Sequence, residues 1–187
     1  MPIKCSVFIA ASLDGYIAKA DGDIAWLVNL PAPTPNEDYG YQSFFDSVDA
    51  LVMGRVTYET VLAFPEWPYG NKKVFVLSGG QPVIPPALAD RVEILSGAPQ
   101  VLLSQLANAG YRHLYVDGGK TIQGFLRAGC IDEIILTTIP ILLGAGIPLF
   151  GSLNAETSLE LVSSRSYANG FVQNHYKLKL QTETSDN

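Results

Sequence analysis

The sequence predicts an α/β fold in three layers: a mixed, mostly parallel central sheet, helices on both of its faces, and an antiparallel hairpin at the C-terminal end. Three observations lead there. Short β-branched apolar runs alternate with helical segments. Two of those runs end in glycine and pass directly into a helix, and Asn169-Gly170 separates two strand-like segments near the end of the chain. The 187 residues suit one domain over 1–180, followed by a polar tail at 181–187.

Residues 3–11 form an apolar run short enough for a buried strand, and Ser12-Leu13-Asp14-Gly15 closes it with a turn. From 21 to 37 the chain carries Pro31, Pro33 and Pro35 and reads as an irregular loop. Asn36, Glu37 and Asp38 then open a helix that runs to about residue 46. Residues 50–53 are a strand ending at Gly54, and 57–63 are helical up to Pro65 and Pro68. Strands at 73–77 and 92–95 follow, the first closed by Ser78-Gly79-Gly80. Pro99 suits a first helical position and Gly110 a left-handed cap, which brackets a helix over 99–109. Residues 113–116 are the next strand, Asp117-Gly118-Gly119 a glycine turn, and 121–128 a helix capped by Gly129. A β-branched strand over 131–139 leads to the hairpin, with strands at 158–167 and 171–180 about a type I′ turn.

Composition narrows the function classes. Hydrophobic residues make up 48% and charged residues 16%, enough apolar surface to offset the entropy of ordering the chain. A net charge of −6 argues against a nucleic-acid binder, which needs clustered Lys and Arg. The start of the chain has no charged leader with an apolar core, and no stretch approaches the ~18 apolar residues of a membrane span, so a cytoplasmic protein is expected. Cys5 and Cys130 read as buried free thiols; His113 and His175 do not cluster with them, and no metal centre is implied.

The glycine turns are the candidate binding elements. Gly54-Arg55-Val56-Thr57 places free N–H groups and the positive end of a helix dipole beside a guanidinium, a pattern suited to phosphate; an ordinary strand-to-helix turn with a surface Arg fits it equally. Asp117-Gly118-Gly119-Lys120-Thr121 supplies a second such turn. A Walker loop would need glycine five positions before Gly119, where Leu114 stands, and the GxGxxG dinucleotide fingerprint is absent. No acid occupies Ser78-Gly79-Gly80, so a ribose 2′-phosphate would meet Ser78 and Arg55 without repulsion, which favours NADPH over NADH. Asp38 either serves the helix start or, if buried in an apolar cleft near Trp26, hydrogen-bonds a heterocycle and helps to protonate it. Asp14-Gly15 is a tight turn beside a central strand end. Ser12, Ser78 and Ser104 lack a nucleophile elbow, so hydrolase chemistry is not supported.

Four pieces together resemble the dihydrofolate reductase superfamily, and within it the reductase domain of riboflavin biosynthesis. They are Ala11-Ser12-Leu13-Asp14-Gly15-Tyr16-Ile17-Ala18, Val52-Met53-Gly54-Arg55-Val56-Thr57-Tyr58-Glu59, Val116-Asp117-Gly118-Gly119, and Pro140-Ile141-Leu142-Leu143-Gly144. The resemblance implies that fold and an NADPH site built from Ala11, Asp14 and Gly15, from Gly54, Arg55 and Thr57, from Leu77 and Ser78, and from Asp117, Gly118, Gly119 and Thr121. It also implies substrate contacts at Trp26, Asp38 and Thr137, with Asp38 catalytic. The activity implied is NADPH-dependent reduction of a small nitrogen heterocycle, similar to that of 5-amino-6-(5-phosphoribosylamino)uracil reductase. Dihydrofolate (pterin) reduction and a non-catalytic nucleotide-binding module on the same fold stand as alternatives. The zinc deaminase signatures of the bifunctional riboflavin enzyme are absent, and no basic residue stands out for a ribose phosphate. A homodimer is expected by resemblance, with the apolar segment 134–150 as its candidate contact.

Overall fold

A computed structural model of the chain describes residues 2–28 and 37–179; Pro31, Pro33, Pro35, Asn36 and the tail at 181–187 lie outside the described residues. The chain runs β1 (Lys4–Ser12), β2 (Tyr16–Ala18), α1 (Ala25–Val28), α2 (Tyr41–Ser47), β3 (Ala50–Gly54), α3 (Arg55–Leu62), β4 (Lys73–Leu77), β5 (Val92–Leu95) and α4 (Pro99–Asn108). It continues with β6 (His113–Asp117), α5 (Gly119–Arg127), β7 (Glu133–Ile139), β8 (Ile147–Pro148), β9 (Leu159–Ser166) and β10 (Val172–Leu178). Eight strands make one sheet in the order β5-β4-β3-β6-β1-β7-β10-β9. The first six in that order are parallel, and β10 and β9 are added antiparallel, as the sequence predicts.

Because successive strand residues point to opposite faces, each strand feeds two cores. Cys5, Val7, Ala50, Val52, Leu114 and Val116 pack under α4 and α5, against Leu106, Ile122 and Phe125. Leu51, Met53, Val74, Val76 and Tyr115 point the other way, against Phe44 of α2 and Tyr58 and Val61 of α3. The central strands are therefore apolar on both sides, which is why they read as continuous hydrophobic runs.

Two expectations are corrected. The helix proposed to open at residues 36–38 begins at Tyr41, because Tyr39 (φ 57°) and Gly40 (φ 81°) take left-handed conformations that break the helical path. The hairpin turn is not type I′: Gly170 has φ 84°, but Tyr39 is the only non-glycine residue with positive φ among those described, so Asn169 does not qualify. The turn is instead a three-residue loop closed by Tyr167 N–H to Phe171 O at 2.9 Å and Gly170 N–H to Tyr167 O at 2.9 Å. The Asn169 amide donates to the Tyr39 hydroxyl at 2.9 Å, so a tertiary contact helps to hold this conformation. Segment 134–150, the candidate dimer contact, divides: Ile134, Ile139 and Leu149 are buried and β7 lies between β1 and β10, whereas Leu142 and Phe150 are exposed large apolar residues. The two-stranded β2–β8 sheet was not predicted, being too short to show a period.

At the N-terminal edge of the sheet, Glu133 collects Lys4 Nζ at 2.7 Å, the Ser6 hydroxyl at 2.7 Å and His175 Nε2 at 3.0 Å. Burial works to raise its carboxyl, but these three partners outweigh burial and hold it at about 2. A depressed carboxylate contributes stability that is present above its unfolded value and lost as pH falls through the folded one. The contribution should be on the order of 3 kcal/mol and disappear between roughly pH 4.5 and 2. Denaturant melts of Glu133→Gln against the parent, taken across that range, should show a lower plateau at neutral pH and a shallower acid limb. Parallel acid limbs would show that Glu133 carries no such linkage.

Candidate functional site

The parallel strands end together along one edge of the sheet, in register: Gly54 pairs with Leu77, and Met53 with Asp117. There the neighbours β3 and β6 part company. β3 passes into α3 on one face and on to β4, whereas β6 passes into α5 on the opposite face and crosses β1 to reach β7. Such a reversal opens a crevice at the strand ends, where open α/β sheets take their ligands.

The two glycine turns meet at this crevice. A Cβ on Gly54 would lie 2.9 Å from Thr121 Oγ1, and a Cβ on Gly118 would collide with Thr57 Oγ1 and stand 3.3 Å from Thr57 Cβ. At Gly119 it would meet the Ile17 Cδ1 methyl at 2.9 Å. The paired glycines are thus required by close chain packing, and the space over their Cα atoms is filled by protein rather than held open. Backbone donors remain available, because neither α3, capped by Gly54, nor α5, capped by Gly118, has a side-chain cap. Two uncapped helix starts, the Thr57 hydroxyl and the exposed Arg55, whose guanidinium also reaches Glu59 at 3.0 Å, form one polar surface, with the buried Thr121 hydroxyl behind it against Gly54. That donor set fits the phosphates of a dinucleotide.

On the α2–α3 face the crevice is lined differently. Asp117 ends β6 with Tyr115 on the same face; burial pushes its carboxyl up to about 6, and the Gly118 N–H at 2.7 Å offsets only part of that. Around it stand the aromatic side chains of α2 and of the α3–β4 connection. Tyr41 is 5.5 Å from Phe8 and 5.7 Å from Phe45 between ring centroids, and Tyr69 is 5.2 Å from Trp67. Burial and then the Asp117 charge raise the Tyr41 phenol to about 12, and the same two causes push Tyr69 upward. The indole Nε1 of Trp67 is buried with no hydrogen-bond partner. An acid in an aromatic recess can hold the N–H edge of a planar heterocycle.

The model of the RibD C-terminal domain matches residues 4–173. The chain belongs to that family. It is 36% identical over 179 residues to the uncharacterized protein YwjB of Bacillus subtilis (strain 168), covering 94% of this chain and 98% of that one. A putative riboflavin biosynthesis protein from Shewanella sp. PV-4 shares 42% identity with a TM-score of 0.89, over 95% of this chain and all 100% of that one. A pyrimidine reductase-like protein from Corynebacterium diphtheriae, 17% identical over 95% of this chain and 92% of its own, shares the fold with a TM-score of 0.70. The architecture is the dihydrofolate reductase-like one of RibD reductase domains.

Within the RibD C-terminal domain frame, the sequence-predicted residues separate into groups. Gly54, Arg55, Thr57, Gly118, Gly119 and Thr121 come together at the crevice, and Leu77 and Ser78 end the neighbouring β4. The Ser78 hydroxyl accepts the Gly80 N–H at 3.0 Å. Ala11 is buried with the α4–α5 core, so its side chain does not face the recess of Asp117. Asp14 is a latch: its carboxylate accepts the Ser12 hydroxyl at 2.6 Å, Leu143 N–H at 3.1 Å and Gly144 N–H at 2.8 Å, tying the turn at Gly15 (φ 85°) to the loop after β7. Thr137 faces the recess side but its hydroxyl accepts the Gln173 amide at 3.0 Å. Trp26 packs with Ile139, Tyr167 and Phe171, and its Nε1 is buried without a partner.

Asp38 lacks the burial on which its catalytic role was conditional. It is exposed, and its carboxylate accepts the N–H groups of Gly40 and Gln42, both at 2.9 Å, so it serves the start of α2. The acid in a recess is Asp117, which sequence reasoning placed with the cofactor. Strand parity was the available signal: with Leu114 and Val116 inward under α5, Asp117 must share the face of Tyr115. The aromatic partners Tyr41, Trp67 and Tyr69 carry no such signal, being indistinguishable from core residues before folding.

Proposed function

We propose that this chain is an NADPH-dependent reductase of a small, planar nitrogen heterocycle. The observation that carries the reading is the juxtaposition, at one topological switch point, of a phosphate-suited surface and a recessed acid among aromatic rings. Arg55, the first-turn N–H groups of α3 and α5, and the Thr57 hydroxyl hold the dinucleotide phosphates; Ser78 and Arg55 favour the 2′-phosphorylated form. NADPH, when bound, supplies the hydride. Asp117 accepts hydrogen bonds from ring N–H and amino groups, and Tyr41, Tyr69 and Trp67 shield the ring from water and fix its plane. Membership of the RibD C-terminal domain family supports reduction over other uses of such a crevice.

Calorimetric titration with NADPH and NADH, with NADPH oxidation followed over a panel containing the riboflavin aminouracil and dihydrofolate, tests the reading. NADPH should bind at least about tenfold tighter than NADH, with the difference lost in Arg55→Ala. Turnover of dihydrofolate alone would favour the pterin branch. NADPH uptake without any turnover would favour a binding module, and no uptake by the folded protein removes the reading.

A further inference from the structure

We infer that the heterocycle bound beside Asp117 carries no phosphate and enters as a neutral base or nucleoside of the aminopyrimidine or pterin class. The inference rests on the reading of the Asp117 recess as the substrate site and adds the charge of what it takes. It comes from placing every cation. All twelve Lys and Arg side chains belong to described residues, so the full set can be followed.

Eight of them are at the far edge of the sheet from the crevice. Lys4 and Lys73 begin β1 and β4, and Lys72, Arg91 and Arg112 directly precede β4, β5 and β6. Arg127 ends α5, and Lys177 and Lys179 close antiparallel β10. Four remain on the crevice side. Lys19 pairs with Asp23 at 2.8 Å, and Arg55 and Lys120 belong to the starts of α3 and α5, where the dinucleotide phosphates are assigned.

That leaves Arg165, on the outermost strand β9. Four strand spacings separate β9 from β6, about 19 Å of sheet. Its guanidinium lies 4.7 Å over the ring of Tyr167, which packs edge-on against Tyr39 at 4.8 Å. The Tyr39 N–H donates to Glu37 at 2.8 Å, with Asp38 next in the chain. Arg165, Glu37 and Asp38 all act on the Tyr167 hydroxyl, so this corner holds one cation against two carboxylates. A phosphomonoester on a ligand in the Asp117 recess would stand near that carboxyl with no unshared guanidinium fork to clamp it, and one that reached the Arg165 corner would meet two carboxylates beside its one cation. A neutral heterocycle loses nothing there, and its N–H donors suit an acid flanked by tyrosines.

The test is equilibrium binding to the whole protein without dinucleotide, read by tryptophan fluorescence. It compares two matched pairs: 5-amino-6-ribosylaminouracil and its 5′-phosphate, and dihydroneopterin and its phosphate. The dephosphorylated member of at least one pair should bind about tenfold tighter or better, and Glu37→Gln should narrow that gap. Equal or tighter binding of the phosphorylated members overturns the inference, and so does a phosphate preference that Arg165→Met abolishes. Failure of all four compounds to bind at millimolar concentration overturns it too. NADPH titrated into the same samples reports on the reductase reading separately. A chain that selects the neutral compounds yet takes up no NADPH sinks that reading and leaves the charge selectivity standing.

Discussion

Asp117→Asn should lower kcat/KM for the heterocycle about a hundredfold while leaving NADPH affinity within about twofold. The reason is a reversal of hydrogen-bonding character. The carboxylate offers acceptors only, whereas the amide turns one of them into a donor facing the donor edge of the ligand. Burial holds this carboxyl at about 6, so the parent enzyme should also show a pH dependence. The ionised form is the one that accepts, so kcat/KM should fall as pH drops through about 6, and that inflection should vanish in the Asn variant. Asp38→Asn is the comparison that distinguishes the two acids. It touches only the start of α2 and should cost about 1 kcal/mol of stability with turnover changed no more than a few-fold. The opposite ranking of the two variants would return the catalytic role to Asp38.

Gly118→Ala should destabilise the protein by about 3–4 kcal/mol, the largest single loss expected on this face of the molecule. Two penalties act together. The residue sits at φ 88° and ψ 134°, which an L side chain rarely adopts, and the added methyl would run into the Thr57 side chain. Rotating Thr57 moves its hydroxyl but not its Cβ, which still stands 3.3 Å from the new methyl. In the double variant with Thr57→Ala the hydroxyl clash goes and the backbone strain stays. About a third to a half of the loss should return, read as a coupling energy in denaturant melts. Full additivity would mean that the two glycine turns do not rest on each other. NADPH binding should weaken in Gly118→Ala and recover only partly in the double variant, because the same contact sets the spacing of the two helix starts.

Much of this was legible in the sequence because it depends on short-range chemistry. The alternation of apolar strands with helices, the glycines before α3 and α5, Pro99 and Gly110 about α4, and the terminal antiparallel pair are all dictated by residues within a few positions of one another. Local chemistry was less decisive where a distant partner competed. Asn169-Gly170 favours a type I′ turn in isolation, yet the bond from Asn169 to Tyr39 accompanies a different loop. Residues 36–38 look like a helix start, yet the left-handed pair Tyr39-Gly40 delays α2 and leaves Asp38 outside it as a cap.

By itself, then, the order of residues determined which strands form, which of them hand over to helices, and that two glycine turns lie at strand ends. Only the folded chain decided which acid is desolvated. A carboxyl is moved away from its ordinary range by desolvation, and burial does this at Asp117; Tyr41, Tyr69 and Tyr115, whose phenols feel its charge, are kept apart by sequence separation and brought together by sheet order. Asp38, with neighbours drawn from its own turn, stays in water and keeps the character of a helix cap. Burial belongs to the whole surface and not to any window of the chain, so it becomes readable when strands far apart in sequence are laid side by side.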